Sequence, residues 1–383
     1  MKKIGILITH PVQCLSHFFK ELAKESDLTV YYCFNPDKKQ QGVEFGVEFT
    51  WDIPLFEGYS YEFLVNISGN PNSNTYSGCD TPEIVEKIKN AKFELFIIFG
   101  WYYKSAHQAL AACKKYNVPV YARGDSTLLS NNLAARLLKK AYFKHFLSRF
   151  DGFLSPGEKF KEYLKFYGVA EDKIIFCPHF VDNEFFKENK VKGVQGRAAL
   201  RERIGIGGDD FVFLFCGKLV SRKRPLDLCK ALALLERKSI PVSVIIAGDG
   251  ALKDKLERYS KERGLNVHFL GFQNQTKLSA VYSMSDCLVL PSSSSETWGL
   301  VVNEAFACGI PAIVSDRVGC GVDMIEEGVT GYTYRCGDTA GLGEKMMQFI
   351  EAKKRGFSFG PLLERKLQEY CIGKAINSIK AII

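Results

Sequence analysis

The 383-residue chain has no apolar run approaching the ~18 residues of a membrane-spanning helix. It has no C-x-x-C pair and no Cys/His cluster at zinc-like spacing, so its twelve scattered cysteines read as reduced core thiols rather than a disulfide or zinc framework. No G-x-G-x-x-G follows the first apolar run, "GILITHPVQC", which argues against a dinucleotide oxidoreductase. No D-x-D pair stands at a strand end to hold a metal, and no basic motif is interleaved with aromatics as nucleic-acid binding would require. The start, "MKKIGILITHPVQC", mimics a signal peptide. Its apolar run breaks at His10-Pro11 with no small-residue cleavage site, so it is expected to be a buried first strand and the protein cytoplasmic. No internal repeat or low-complexity tract stands out apart from the serine run 292–295.

What is present is ordinary in bulk: 46% hydrophobic and 25% charged residues, with length for two or three domains. The net charge of +8 favours anionic partners. Basic residues concentrate in "RLLKKAYFKHFLSRF" (136–150). On a helix, Arg136, Lys139, Lys140 and Lys144 share one face and Leu138, Tyr142, Phe146 and Phe150 the next, the pattern of a helix lying on an anionic membrane surface. The same pattern also suits a helix packed on its own domain with a solvated basic face.

Short apolar runs alternate with helix-length segments throughout, the signature of α/β units around parallel sheets. Strands are expected at 4–9, 28–33, 94–100, 118–123, 151–156 and 173–178, then at 211–217, 242–248, 266–271, 286–291, 311–316 and 331–335. The polar stretch 181–210 reads as a connection plus a helix at about 195–204. The expected architecture is two doubly wound Rossmann-like domains facing across a cleft. Residues 1–182 form the first and 183–360 the second, while C-terminal helices over 361–383 pack back toward the first.

The chemistry collects after strands of the second half, where ligands of such sheets bind. "KLVSRKRP" supplies Lys218, Arg222, Lys223 and Arg224, four cations suited to a pyrophosphate. Gly248 and Gly271, which close two strands, are donor-binding candidates, and glycine in the Asp249-Gly250 turn either lets a ligand approach the backbone or simply makes the turn. "PSSSSETWGLVVNEAFACGIPAIVSD" (291–316) carries Glu296 and Glu304 eight residues apart, with a small-residue loop through Thr297 and Gly299 leading to a helix from about Val301. Were both acids on one helix, they would be about 12 Å apart, beyond the ~5–9.5 Å that glycoside hydrolysis requires. The arrangement suits a long polar ligand, its phosphates between the basic loop and the helix start and its two hydroxylated ends on the two acids.

The run "PSSSSETWGLVVNEAFACGIPAIVSDRVGCGVDMIEEGVTGY" resembles the E-x7-E signature of family 4 retaining glycosyltransferases of the GT-B fold. "FVFLFCGKLVSRKRPLDLCKAL", "IIAGDG" and "FLGFQNQTKLSAVYSMSDCLVLPS" extend the resemblance in family order. "ITHPVQCLSHFFKEL" and "WDIPLFEGYSYEFL" are similar to bacterial members that build surface glycans. The resemblance implies that Glu304 holds ribose hydroxyls, Glu296 binds the transferred sugar, and Thr297, Trp298, Gly299 and Leu300 line the sugar and distal phosphate. Lys218, where the family usually has Arg, and Lys223 would neutralise the leaving diphosphate. His10 stands where the family often has a Gly-Gly pair, and Asp125 in "RGDS" is the candidate for orienting the acceptor hydroxyl.

The implied activity is metal- and cofactor-free transfer, with retention, from a UDP- or GDP-linked hexose to a glycan or lipid-linked acceptor. The expected location is the cytoplasm, with peripheral contact at the inner face of the cell membrane through the 136–150 helix. A sugar-nucleotide epimerase of the same fold and a non-catalytic nucleotide-sugar- or glycan-binding protein are the alternatives.

Overall fold

Apolar runs without polar alternation form strands buried on both faces, as parallel sheets demand. β1 (Lys3–Ile8), β2 (Asp27–Tyr32), β3 (Ser60–Phe63), β4 (Leu95–Phe99), β5 (Val120–Arg123), β6 (Gly152–Ser155) and β7 (Ile174–Phe176) form one sheet, ordered β3-β2-β1-β4-β5-β6-β7. β8 (Phe211–Cys216), β9 (Val242–Ala247), β10 (Val267–Gly271), β11 (Cys287–Leu290), β12 (Ala312–Ser315) and β13 (Gly331–Tyr334) form the other, ordered β10-β9-β8-β11-β12-β13. The paired strands run parallel in both sheets. Each of the twelve expected strands is present. β3, which was not expected, is an edge strand whose first two residues are exposed, so it lacks the apolar run that marks the others.

The computed structural model describes every residue except 130–132, 237–239 and 294–295, so Ser294 and Ser295 of the serine run lie outside the described residues. The chain forms two units. The first comprises 1–37, 53–180 and 371–383, and the second 38–52 and 181–370. Two differences from the expected bounds follow. Helix Gly360–Glu369 belongs to the second unit, where Leu363 and Leu367 enter its core, and only helix Ile372–Lys380 returns to the first. Residues 38–52 leave the first sheet's chain between β2 and β3 and join the second unit.

In the first unit, helix Gln13–Glu25 sets Leu15, Phe18, Phe19 and Leu22 on one face, where they pack with β1 and β2 and with Ala375, Ile376 and Ile379 of the last helix. In the second unit, the stretch 181–210 holds two helices rather than one, Asn183–Gln195 and Arg197–Arg203. Buried Arg201 explains why so polar a stretch packs. Its guanidinium donates to Asp286 (2.9 Å) and to the Met284 carbonyl (2.8 Å), so the charge enters the protein already paired.

The single amphipathic helix expected over 136–150 is instead two, Leu133–Leu138 and Lys140–Leu147. Phe146 and Phe150 are buried in the core of the first unit, while Leu138 and Tyr142 are exposed. Burying each phenylalanine contributes about 2–3 kcal/mol, more than the ~1 kcal/mol a lysine gains near an anionic surface. The inner half of the expected stripe therefore serves the fold. Arg136 donates to the Leu128 carbonyl (3.0 Å), and Lys140 sits 4.9 Å above the Phe166 ring, which engages two of the four cations locally. Among the described residues no helix is long and apolar enough to cross a membrane.

Candidate functional site

In the second sheet, chain order reverses between β8 and β11. Connections leaving adjacent parallel strands at such a point diverge and open a crevice beyond the strands' carboxyl ends. The loop after β8 carries Lys218, Arg222 and Lys223, and the loop after β11 carries Ser292, Ser293 and Glu296. The two loops are stitched together: the Ser293 N–H (2.8 Å) and hydroxyl (3.0 Å) both donate to the Arg222 carbonyl.

Lys223 forms an ion pair with Glu296, whose carboxylate also accepts from the Ser292 hydroxyl at 2.9 Å. Their side chains are only 17% and 12% exposed, so the pair is shielded from solvent far more than a surface bridge. Lys218 and Arg222 meet a different acid, Glu44. Arg224 turns away to Asp227 (2.7 Å) in the first turn of helix Pro225–Glu236. The expected set of four cations is thus divided among three carboxylates, because each charge that leaves water here takes a partner.

The strand ends beside these cations are glycine. The Gly217 N–H donates to the Ala247 carbonyl (2.9 Å) and the Gly248 N–H to the Gly271 carbonyl (2.8 Å), so three strand ends abut as bare backbone. Gly248 has φ +151°, and a Cβ there would lie 1.8 Å from the Gly217 carbonyl oxygen. Neither the conformation nor the space admits another residue.

The Thr297–Leu300 turn is clasped from below. The Glu296 and Trp298 carbonyls accept from the Gly319 (2.9 Å) and Cys320 (3.0 Å) N–H groups, and a Cβ on Gly319 would strike the Thr297 carbonyl oxygen. The Trp298 indole is buried and donates to Asn303 (2.9 Å), so the side chain anchors the turn. Gly299 has φ +105°, and Leu300 is the N-cap of helix Val301–Ala307.

Glu304 lies within that helix and Glu296 on the preceding loop, so the two acids are not carried by one helix. Every helix position from Val302 to Ala307 is buried, and Glu304 is 7% exposed. The Tyr282 hydroxyl donates to its carboxylate at 2.6 Å. Burial pushes the carboxyl up to about 7, and the tyrosine bond opposes this. Cys216, at the end of β8, is pushed up to about 12 by burial and then by the charge of Glu304, and it also feels Lys223.

His10 and Asp125 belong to the first unit, beyond the carboxyl ends of β1 and β5. His10 follows one of the two strands, β1 and β4, between which that sheet's order reverses. It shares a hydrogen bond with Thr9 (2.9 Å) and lies against the Phe34 ring. Asp125 follows Arg123, whose buried guanidinium is consumed by the Cys177 (2.7 Å) and Pro178 (2.8 Å) carbonyls.

Two residues at the second-unit site escape sequence reasoning. Tyr282 sits in a helix with no motif of its own. Glu44 does have a signal, a tandem tetrapeptide in "GVEFGVEF" (42–49), short enough to pass for chance in a search for longer repeats. Among the described residues, no group of three or more His, Cys, Asp or Glu side chains is disposed to hold a metal ion.

Comparison with known proteins bears on this geometry. A family profile described as glycosyl transferases group 1 matches residues 196–365, which carry all the second-unit site residues except Glu44. An uncharacterized glycosyltransferase of Methanocaldococcus jannaschii is 37% identical over 174 residues, 45% of this chain and 43% of that one. The chain spans less than half the length of several curated relatives it matches. Among solved structures, a glycosyltransferase from Rickettsia africae superposes with TM-score 0.77 at 15% identity, covering 100% of this chain and 97% of the other. Anabaena Alr3699/HepE, solved in complex with UDP and glucose, gives TM-score 0.71 at 16% identity, with 100% and 99% covered. These likenesses show the fold: two Rossmann-like units of the GT-B type.

Proposed function

We propose that the chain is a retaining, metal-independent family 4 glycosyltransferase. It moves a hexose from a UDP- or GDP-linked donor to a glycan or lipid-linked acceptor in surface polysaccharide synthesis. The observation that carries this reading is the sheltered Lys223–Glu296 pair at the β8/β11 reversal, flanked by a glycine floor and backed by buried Glu304. The solved complex of the Anabaena protein with UDP and glucose supports the donor class.

In this reading the nucleoside diphosphate lies over Gly217, Gly248 and Gly271, with Lys218 and Lys223 on its phosphates. Glu304 accepts from the ribose hydroxyls and Glu296 from those of the sugar, with Thr297, Trp298, Gly299 and Leu300 offering backbone to the sugar and distal phosphate. As the bond from the anomeric carbon to the phosphate oxygen breaks, charge grows on the diphosphate, and two fixed ammonium groups stabilise that growth without reorganising. The departing phosphate oxygen takes the acceptor hydroxyl's proton on the same face as the new glycosidic bond forms. Asp125 orients the acceptor hydroxyl, and His10 serves in place of the family's Gly-Gly pair.

A cytoplasmic chain visiting the inner membrane face fits the exposed Leu137, Leu138 and Tyr142 beside exposed Lys139, Lys140 and Lys144.

The test is sugar transfer from nucleotide sugars to membrane-extracted acceptors, comparing wild type with Glu296→Ala. Full turnover in the variant would remove the site assignment. Donor isomerisation without any acceptor would indicate an epimerase, and tight binding with no turnover on any acceptor a sensing protein.

A further inference from the structure

Residues 38–52 form a strap that packs within the second unit. Phe45 and Phe49, from the two copies of the tetrapeptide, close on the Phe272 ring with centroids 5.0 and 4.3 Å away. Asn274 donates to the Thr50 carbonyl (2.7 Å), and Asp52 accepts from the Thr276 N–H and hydroxyl. These contacts lead the strap over the loops after β8 and β10. Its tip brings Glu44 to the basic loop, and the Glu44 carbonyl oxygen reaches the turn after β9, where it would lie 3.1 Å from a Cβ on Gly250.

The Glu44 carboxylate is gripped as a phosphate would be. Arg222 donates through both terminal nitrogens, at 2.5 and 2.8 Å, and Lys218 donates at 2.5 Å to the oxygen that takes the longer arginine bond. A planar fork plus a point cation is the standard recognition of a tetrahedral oxyanion. The strap's aromatics are sheltered, Phe49 being buried, while the Glu44 side chain is 39% exposed and can swing into solvent.

We propose that Lys218 and Arg222 form an anion subsite for the donor's diphosphate and that Glu44 is its built-in, displaceable occupant, so that donor binding must first expel this carboxylate. This rests on the donor reading given above and adds to it a third phosphate-binding residue, Arg222, and an internal competitor. The exchange favours the ligand. A part-exposed ion pair is weak, whereas a diphosphate brings more charge and more acceptor oxygens to the same donors. Arg222 bonding holds the Glu44 carboxyl down at about 2, so the competitor is charged throughout the physiological range.

The experiment is calorimetric titration of the full chain and of Glu44→Gln with inorganic pyrophosphate, and separately with UDP and GDP. The variant should bind pyrophosphate about tenfold more tightly, as for a site that its occupant leaves open a tenth of the time. Equal or weaker binding by the variant, or no pyrophosphate binding by either protein, overturns the subsite. If pyrophosphate tightens but neither nucleotide binds, the subsite stands and the donor reading falls. If a nucleotide binds the wild type and Glu44→Gln changes no affinity, the reverse holds. Should Glu44→Gln fail to fold, hydrogen exchange of the wild type decides. Amides in 38–52 should exchange faster with saturating pyrophosphate, and unchanged or slower exchange overturns the proposal.

Discussion

Lys223 and Glu296 are joined by an ion pair that ties the loop after β8 to the loop after β11, across the point where the second sheet reverses its strand order. Each side chain holds the other in place. A cation and an acid that serve two ends of one ligand must start preorganised, and this pair is held by the fold itself.

Replacing Lys223 by alanine removes a cation from the departing diphosphate and leaves the Glu296 carboxylate without its charge partner. By analogy with lost oxyanion donors, kcat should fall about 10²–10³-fold. Steady-state transfer kinetics measure it. A loss under threefold would show that Lys223 lies outside the reacting region.

Glu304 links the site to pH. Its carboxyl is raised from 4.5 to about 7 by burial, so between those values the folded chain holds a proton that the unfolded chain has released. Stability from this group is present below about pH 4.5 and is lost as pH rises through about 7, by up to about 3 kcal/mol. Urea unfolding of wild type and Glu304→Gln at several pH values checks this. The variant should gain on wild type as pH climbs from 5 to 8, and parallel profiles would contradict the assignment.

Tyr282→Phe removes the hydrogen bond that the tyrosine hydroxyl donates to that buried carboxylate. It should destabilise the fold by about 1–3 kcal/mol. It should also move the Glu304 titration to higher pH, because the bond that lowers it is gone. Carboxyl NMR titration of the two proteins would show the shift, and an unmoved titration would mean the bond does not form.

Gly248→Ala places a methyl against the Gly217 carbonyl at a φ that L residues rarely adopt. It should cost more than about 1–3 kcal/mol of strain and lower the melting temperature by several degrees. An unchanged melting temperature would mean the strand ends are not abutted as described.

What the sequence made legible was whatever a local pattern encodes. The twelve expected strands are mainly apolar runs, and the loops after β8 and β11 stand out because charged residues follow directly on such runs. β3 escaped because an edge strand shows water half its residues. Helix Asn183–Gln195 escaped because its residues are mostly polar, and Arg201 packs only because Asp286, far along the chain, meets it. Pairings such as Tyr282 with Glu304 and Glu44 with Arg222 span 22 and 178 residues, and tertiary packing alone brings such groups together.

The stretch 136–150 shows the same limit from the other side. Periodicity gave one face to Leu138, Tyr142, Phe146 and Phe150, and it carries no information on which of them face the core. Cosedimentation with phosphatidylserine vesicles should fall several-fold in a Lys139→Glu, Lys140→Glu, Lys144→Glu variant if the exposed portion meets a membrane. Equal binding would remove that contact.

Crystals grown with UDP or GDP test the whole account most directly. We expect the two phosphates over Gly217 and Gly248 within hydrogen-bond reach of Lys218 and Lys223, and the ribose hydroxyls on the Glu304 carboxylate. Nucleotide density anywhere other than the β8/β11 reversal, or a ribose turned away from Glu304, would contradict it.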